Sequence, residues 1–245
     1  MTERAFTYVD RGQAKVGNRW VERTWSTFVG HTTGLARMPE EIEWTAGLCR
    51  EFSLLVDGEP LGVMDFGEVE WSEENGPAGA TLVARKMRPG FEVDIRTLAL
   101  HDSPALVRTV TLRNTGRNDV AVSRVVVDSL GLTQEGVRVY TQGFATHHDA
   151  IEWRTDERAA ALVRDREVLF VGSEAPCTFR LHAPDAGVCA VAHEAPQPLA
   201  AGATLLFPST YLLATSGDLA ECARTTFTDF LVRLRALRRA APSTH

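Results

Sequence analysis

HDSPALVRTVTLRNTGRNDVAVSRVVVDSLGL (residues 101–132) reads as two long strands around a polar turn. Leu106, Val110 and Leu112 fall on one side of the first strand, with Thr109, Thr111 and Arg113 on the other. Val120, Val122, Val126, Leu130 and Leu132 repeat the alternation after the turn. A period of two in β-branched residues, around Asn-Thr-Gly-Arg-Asn-Asp, predicts a β-hairpin. Arg108 and Arg124 break the apolar stripe. If Leu112 sits opposite Val120, the two arginines lie directly across from one another. Like charges so placed repel unless carboxylates or a ligand offset them. Asp128 shares their parity, so an ion-pair network with Asp128, Asp102 or Glu92 is expected. The alternative has the arginines lining a sheet face that holds a sugar acid or hydroxyls.

Outward from this stretch the strand signals continue. Residues 18–28, with two tryptophans, read as a strand pair or one bent strand. Residues 49–56 alternate, with Phe52, Leu54 and Val56 inward and Glu51 and Ser53 outward, before the turn Asp57-Gly58-Glu59-Pro60. A short strand ends at Trp71, and residues 72–79 read as a polar loop. Residues 80–87 and 91–100 form a second hairpin across Arg88-Pro89-Gly90. Further strand runs follow at 137–140, 159–164, 167–171, 177–182, 188–193 and 204–213, at the spacing of a sandwich or barrel. Only the end changes period. From Asp218, apolar residues Leu219, Cys222/Ala223, Phe227, Phe230/Leu231, Leu234 and Leu237 step by three or four, an amphipathic helix. Asp218 and Glu221 suit its first turn, and Arg233, Arg235, Arg238 and Arg239 its last; Pro242 ends it. The expected fold class is therefore all-β, a large antiparallel sandwich with one C-terminal amphipathic α-helix. Residues 1–216 form the sandwich, 217–241 a helix packed on it or on a partner, and 242–245 a tail.

The chain has 245 residues and a net charge of −6, with no basic patch interleaved with aromatics, so nucleic acid is not an expected partner. The start, MTERAFTYVDRG, has no apolar run after a basic segment, and no stretch has the length of a membrane span. Cys49, Cys177, Cys189 and Cys222 show neither CxxC nor Cys/His spacing and read as reduced core residues. A cytoplasmic location is expected, with no membrane partner, no cofactor and no metal. G-x-S-x-G, Walker A, G-x-G-x-x-G and H-E-x-x-H patterns do not occur, which excludes the enzyme classes that use them.

The densest polar-aromatic cluster is YTQGFATHHDAIEWR (residues 140–154), read as a long loop between strands. Sugars are held by an aromatic face against C–H groups and by forked donors and acceptors on hydroxyls. Tyr140, His147, His148, Glu152, Trp153 and Arg154 supply both and are the expected ligand-binding residues. The plainer reading is a surface loop with Trp153 folded back onto the sandwich. Adjacent His147 and His148 in an extended segment point apart, which argues against a shared metal. His31, between glycines, reads as a turn residue, and His193-Glu194 as an exposed pair at a strand end.

Several stretches together resemble the β-supersandwich domain that precedes the catalytic barrel in family 36-type α-galactosidases, a galactose mutarotase-like fold. They are Gly17-Asn18-Arg19-Trp20-Val21-Glu22-Arg23, Glu51-Phe52-Ser53-Leu54, Ser103 to Arg108 with Asn114-Thr115-Gly116, and residues 199–221 with their Gly-Asp entry into a helix. In those glycosidases the two catalytic carboxylates sit on a (β/α)8 barrel after that helix. This sequence ends at His245, where such a barrel would begin. The paired carboxylates of glycoside hydrolysis, about 5–9 Å apart, would have to come from elsewhere. The resemblance thus implies a non-catalytic carbohydrate-associated module. It would bind saccharide, or serve as accessory domain to a glycosidase barrel made as a separate chain. The alternative is an aldose-epimerase-like enzyme using a His/Glu pair, with Glu152, Glu194, His148 and His193 as candidates. A third reading is a structural module that self-associates through the apolar helix face of Phe227, Phe230 and Leu234.

Overall fold

The computed structural model describes residues 4–46, 49–133, 135–141, 143–149, 152–155, 158–175, 178–182, 187–193 and 196–240, with side chains outside the description at 147–149, 152–155, 178–182, 187–193 and 240. The chain opens with β1 (Phe6–Val9), β2 (Gln13–Gly17), β3 (Val21–Ser26), β4 (Thr32–Arg37) and β5 (Ile42–Glu43). Next come β6 (Glu51–Val56), β7 (Glu59–Gly62), β8 (Val69–Asn75), β9 (Gly79–Arg88), β10 (Phe91–Leu100), β11 (Ala105–Asn114) and β12 (Val120–Gly131). The second half holds β13 (Arg138–Thr141), β14 (Thr146–Asp149), β15 (Glu152–Thr155), β16 (Ala159–Arg164), β17 (Glu167–Ser173) and β18 (Thr178–His182). It closes with β19 (Gly187–His193), β20 (Gln197–Leu199), β21 (Thr204–Leu206) and β22 (Thr210–Ser216). A helical segment follows: α1 (Leu219–Cys222), a π-helical turn (Ala223–Phe227) and α2 (Thr228–Ala240).

Among the described residues these strands make three antiparallel sheets, of five, ten and seven strands. The five-stranded sheet runs β1 to β5 in order. The ten-stranded sheet runs β14-β13-β16-β17-β22-β11-β10-β9-β8, with β21 added on β11. The seven-stranded sheet runs β15-β18-β19-β12-β6-β7, with β20 added on β12. Trp44, Thr45 and Ala46 join the five- and seven-stranded sheets through a bridge from Thr45 to Leu132 and a 2.9 Å bond from Ala46 N–H to the Gly131 carbonyl. Together these two sheets face the ten-stranded one, and the main apolar core lies between them.

The stretch at 101–132 does not form the expected hairpin. β11 pairs with β10 and β22, whereas β12 pairs with β6 and β19 in the other layer. Residues 115–119 therefore cross the sandwich. Buried Asn114 fixes this crossover: its amide donates to the carbonyls of Asn118 (2.8 Å) and Leu199 (3.1 Å) and its Oδ1 accepts from Gly116 N–H (2.9 Å). β11 is buried on both faces from Ala105 to Arg108, which only a central strand with cover on each side can be. The hairpin expected at β9–β10 does form, with Gly90 at φ 90° in its turn. The polar stretch at 72–79 is strand as far as Asn75. Glu73 and Glu74 sit opposite Leu82 and Thr81 on an edge strand, where charges block further pairing.

The helical segment lies on the outer face of the ten-stranded sheet. Asp218 caps it, accepting from Glu221 N–H at 3.1 Å. Cys222, Phe227, Phe230 and Leu234 are buried there against Val107, Val168, Phe170, Tyr211 and Leu213, a second core. Phe170 and Phe227 stack with centroids 4.7 Å apart, and Tyr211 meets Phe230 edge-on at 5.0 Å. The apolar helix face is thus covered by the chain's own sheet. Cys49 and Cys222 are buried thiols. No helix among the described residues is long and apolar enough to cross a membrane.

Candidate functional site

The residues expected to bind ligand fall on three strands rather than on a loop. Tyr140 lies on β13, His147 and His148 on β14, and Glu152, Trp153 and Arg154 on β15. β14 is the end strand of the ten-stranded sheet and β15 the end strand of the seven-stranded one. His147 and His148 therefore lie on the edge of one layer and Glu152, Trp153 and Arg154 on the edge of the other. His147 pairs with Tyr140 and His148 with Val139, while Glu152, Trp153 and Arg154 pair with His182, Leu181 and Arg180. Tyr140 is half-buried and packs against the core under the helix, with the Arg138 guanidinium 6.0 Å from its ring. The side chains of the other five lie outside the described residues, as do Glu194 and the side chain of His193.

The strongest electrostatic feature lies inside the sandwich. Arg23 from β3, Glu51 and Asp128 from β6 and β12, and Arg108 from β11 converge there from all three sheets. Each is at most 6% exposed. Glu51 Oε2 accepts from Arg23 Nη2 (3.0 Å), Arg108 Nη1 (2.8 Å) and Trp25 Nε1 (3.2 Å). Its Oε1 accepts from Thr32 N–H at 2.6 Å. Asp128 accepts from both Arg23 terminal nitrogens, at 3.2 and 3.3 Å, and Arg108 Nε stands 3.8 Å from it while donating to the Val127 carbonyl at 3.2 Å. Two guanidiniums and two carboxylates leave no net charge. Burial alone would raise the Glu51 pKa, but Arg23 and Arg108 outweigh it and hold the carboxyl at about 2. Burial likewise opposes the charge on Arg23, and Asp128 and Glu51 push its pKa above the ordinary arginine value. Lys86 reaches the same interior and donates to the Val29 carbonyl at 2.7 Å; burial lowers its pKa, with Glu51 opposing. Burial and Glu51 push the Cys49 thiol to about 11 and keep it protonated.

This corrects the expected cross-strand pair of arginines. Arg108 faces Thr97 and Thr210 across its strands, and Asp128 belongs to its network as expected. Arg124, exposed at φ 46°, sits in a bulge where β12 loses register with both neighbours. Glu51, expected outward, turns inward because its own φ is 62°, at the centre of a γ-turn closed by Phe52 N–H to the Arg50 carbonyl at 2.7 Å. A void of about 10 Å³ beside Glu51, Trp25 and Thr97 has space for about one water, far below a sugar. The cluster is a closed, neutral joint.

Two openings lined by described residues lie elsewhere. A polar recess of about 780 Å³ at one end of the sandwich is lined by Arg4, Asn75, His101 and Asp102. His101 bridges its walls, Nδ1 accepting from Ala5 N–H (3.0 Å) and Nε2 contacting the Gly76 carbonyl (3.1 Å). A second groove of about 230 Å³ separates α2 from the ten-stranded sheet. Among the described residues, no three His, Cys, Asp or Glu side chains are placed to hold a metal ion.

Solved structures share this architecture. The galactosidase domain of the alpha-galactosidase-sucrose kinase AgaSK aligns with a TM-score of 0.67 at 9% identity, over 86% of this chain and 42% of that one. The GH36 alpha-galactosidase AgaB from Geobacillus stearothermophilus aligns with a TM-score of 0.67 at 8% identity, over 88% of this chain and 41% of that one. This is the β-supersandwich fold of the α-galactosidases. The resemblance read from the sequence holds at the level of fold. The chain spans about two-fifths of the length of these enzymes. A TPR-domain containing protein from Parabacteroides distasonis also shares the fold, with a TM-score of 0.61 at 11% identity, over 84% of this chain and 47% of that one. The supersandwich thus also occurs in a protein described by other terms, and it fixes architecture rather than chemistry. No protein-family model and no curated protein sequence matches the chain.

Proposed function

We propose that the chain is a non-catalytic, intracellular carbohydrate-associated module that acts as the accessory supersandwich of a glycosidase. One observation carries this reading's link to glycosidases: over 86–88% of its length the chain has the fold of α-galactosidase structures. The closed charge cluster supports it, because interior carboxylates neutralised by arginines are not poised as acid and base. The side strands β13–β15 are the proposed saccharide contact, through Tyr140, His147, His148, Glu152, Trp153 and Arg154. Phe227, Phe230 and Leu234 pack on the chain's own sheet, which weighs against the self-association reading that drew on them.

The test uses the purified chain. NMR of anomeric exchange in glucose and galactose should give the uncatalysed rate, and an aryl α-galactoside should not be hydrolysed. Titration calorimetry with galactose and α-galactosides should give weak, saturable heat that Trp153→Ala removes. Accelerated exchange that disappears in Glu152→Gln would instead make the chain an epimerase. Saccharide heat unchanged in Trp153→Ala would move the contact away from β13–β15.

A further inference from the structure

The groove between α2 and the ten-stranded sheet is built unlike an ordinary packing gap. Its floor is apolar: Tyr211 and Phe227, with Leu231 and Leu234 from the helix. Two exposed guanidiniums, Arg158 and Arg235, flank it, and among the described residues neither forms an ion pair. A carboxylate, Glu174, also lines the groove, and it is paired with Arg238, which approaches it through Nε at 2.9 Å. Among the described residues the rim therefore carries two guanidiniums without an ion-pair partner above a largely apolar floor. Phe227, in that floor, ends a π-helical turn whose widening is marked by Thr228 Oγ1 donating to the Ala223 carbonyl at 2.9 Å. Such single π-turns interrupt α-helices frequently at functional sites.

Size and charge together select the occupant. A cavity of about 150 Å³ lined by apolar side chains accepts benzene. The groove's volume of about 230 Å³ adds space for a short arm. Two arginines at the mouth match a carboxylate at the end of that arm, since guanidinium forks pair with carboxylates in bidentate geometry. Tyr211, whose phenol burial keeps protonated, gives the ring a neutral aromatic face. We propose that this groove is a binding site for small amphipathic carboxylates of the arylalkanoate class, with the ring between α2 and the sheet and the carboxylate held by Arg158 and Arg235. A molecule so placed contacts helix and sheet at once and fastens α2 to the sandwich.

Titration calorimetry of the intact chain with 3-phenylpropanoate tests this, with 3-phenylpropan-1-ol as the uncharged counterpart. One saturable site is expected. Arg158→Gln and Arg235→Gln should each weaken binding by about tenfold, and the alcohol should bind at least about tenfold more weakly than the acid. Both arginines are exposed, so these variants should keep the wild-type circular dichroism. Arg117→Gln, on the exposed crossover loop, should bind as the wild type does. Hydrogen exchange across Thr228–Ala240 should slow when the acid is present. Absence of saturable heat up to about 10 mM acid would overturn the proposal. So would equal affinity for acid and alcohol, or unchanged affinity in the double variant R158Q/R235Q.

Discussion

Glu51 is the residue on which the interior charges depend. It pairs with two guanidiniums at once and accepts from a backbone N–H and an indole, all while fully buried. Its left-handed φ of 62° costs about 1–3 kcal/mol, a strain that persists only where the surroundings over-determine the geometry. Removing the charge leaves Arg23 and Arg108 with Asp128 alone. Glu51→Gln should therefore destabilise the fold by about 3–5 kcal/mol in urea unfolding at neutral pH. The effect should depend on acidity in a defined direction. The folded-state pKa, about 2, lies below the ordinary 4.5, so the carboxylate's contribution is complete above pH 4.5 and lost as pH falls toward 2. The depression corresponds to about 3 kcal/mol, and the wild-type advantage over the variant should narrow by about 2 kcal/mol between pH 6 and pH 3. An advantage constant over that range would show that Glu51 is not held ionised by its neighbours. Part of this cluster was legible. Arg23 shares parity with Val21 and Trp25, and Lys86 with Leu82 and Ala84, so alternation alone points both inward. Glu51 and Arg124 were not legible, because a positive φ at the residue itself shifts parity and no composition signal marks it.

At the level of elements, local pattern settled what each segment is and left its neighbours open. The β9–β10 hairpin could be read because a two-residue reversal at Pro89-Gly90 leaves no other partner within reach. β11 and β12 carry an equally good turn, yet five residues are also enough to change layers. The deciding factor is the burial of β11 on both faces, and that depends on a helix more than a hundred residues later. The helix itself was plain from its period and its Asp218 cap; what it packs on was not. Its docking energy should sit in the inward face. Phe230→Ala, at a position 1% exposed, should cost about 3–5 kcal/mol. Val232→Ala, at a position 60% exposed, should cost under about 0.5 kcal/mol in the same urea series. Equal small losses at both positions would mean that α2 is not docked on the sheet in solution.

For the whole molecule, the question is whether three sheets behave as one cooperative unit. The five-stranded sheet is built from consecutive strands and resembles a separable N-terminal piece. Its ties are specific, however. Arg23 bonds to Glu51 and Asp128 in the seven-stranded sheet, Lys86 of the ten-stranded sheet reaches Val29, and Asn18 donates to the carbonyls of Leu100 and Ser103 at 2.8 Å each. Arg37 binds Glu167 on β17 as well. Opening that sheet alone would take Arg23, Trp25 and Thr32 from Glu51 and Arg23 from Asp128 while leaving both carboxylates in the interior, which is costlier than unfolding them together. Calorimetry should therefore show a single transition, with equal calorimetric and van't Hoff enthalpies of about 170 kcal/mol near 60 °C for a chain of this length. Glu51→Gln should lower the midpoint without splitting the peak. A van't Hoff enthalpy well below the calorimetric one, with an early step confined by hydrogen exchange to residues 6–43, would mean that the charged joint does not couple the sheets. The fold would then be an assembly of separate layers rather than one supersandwich held together through its interior ions.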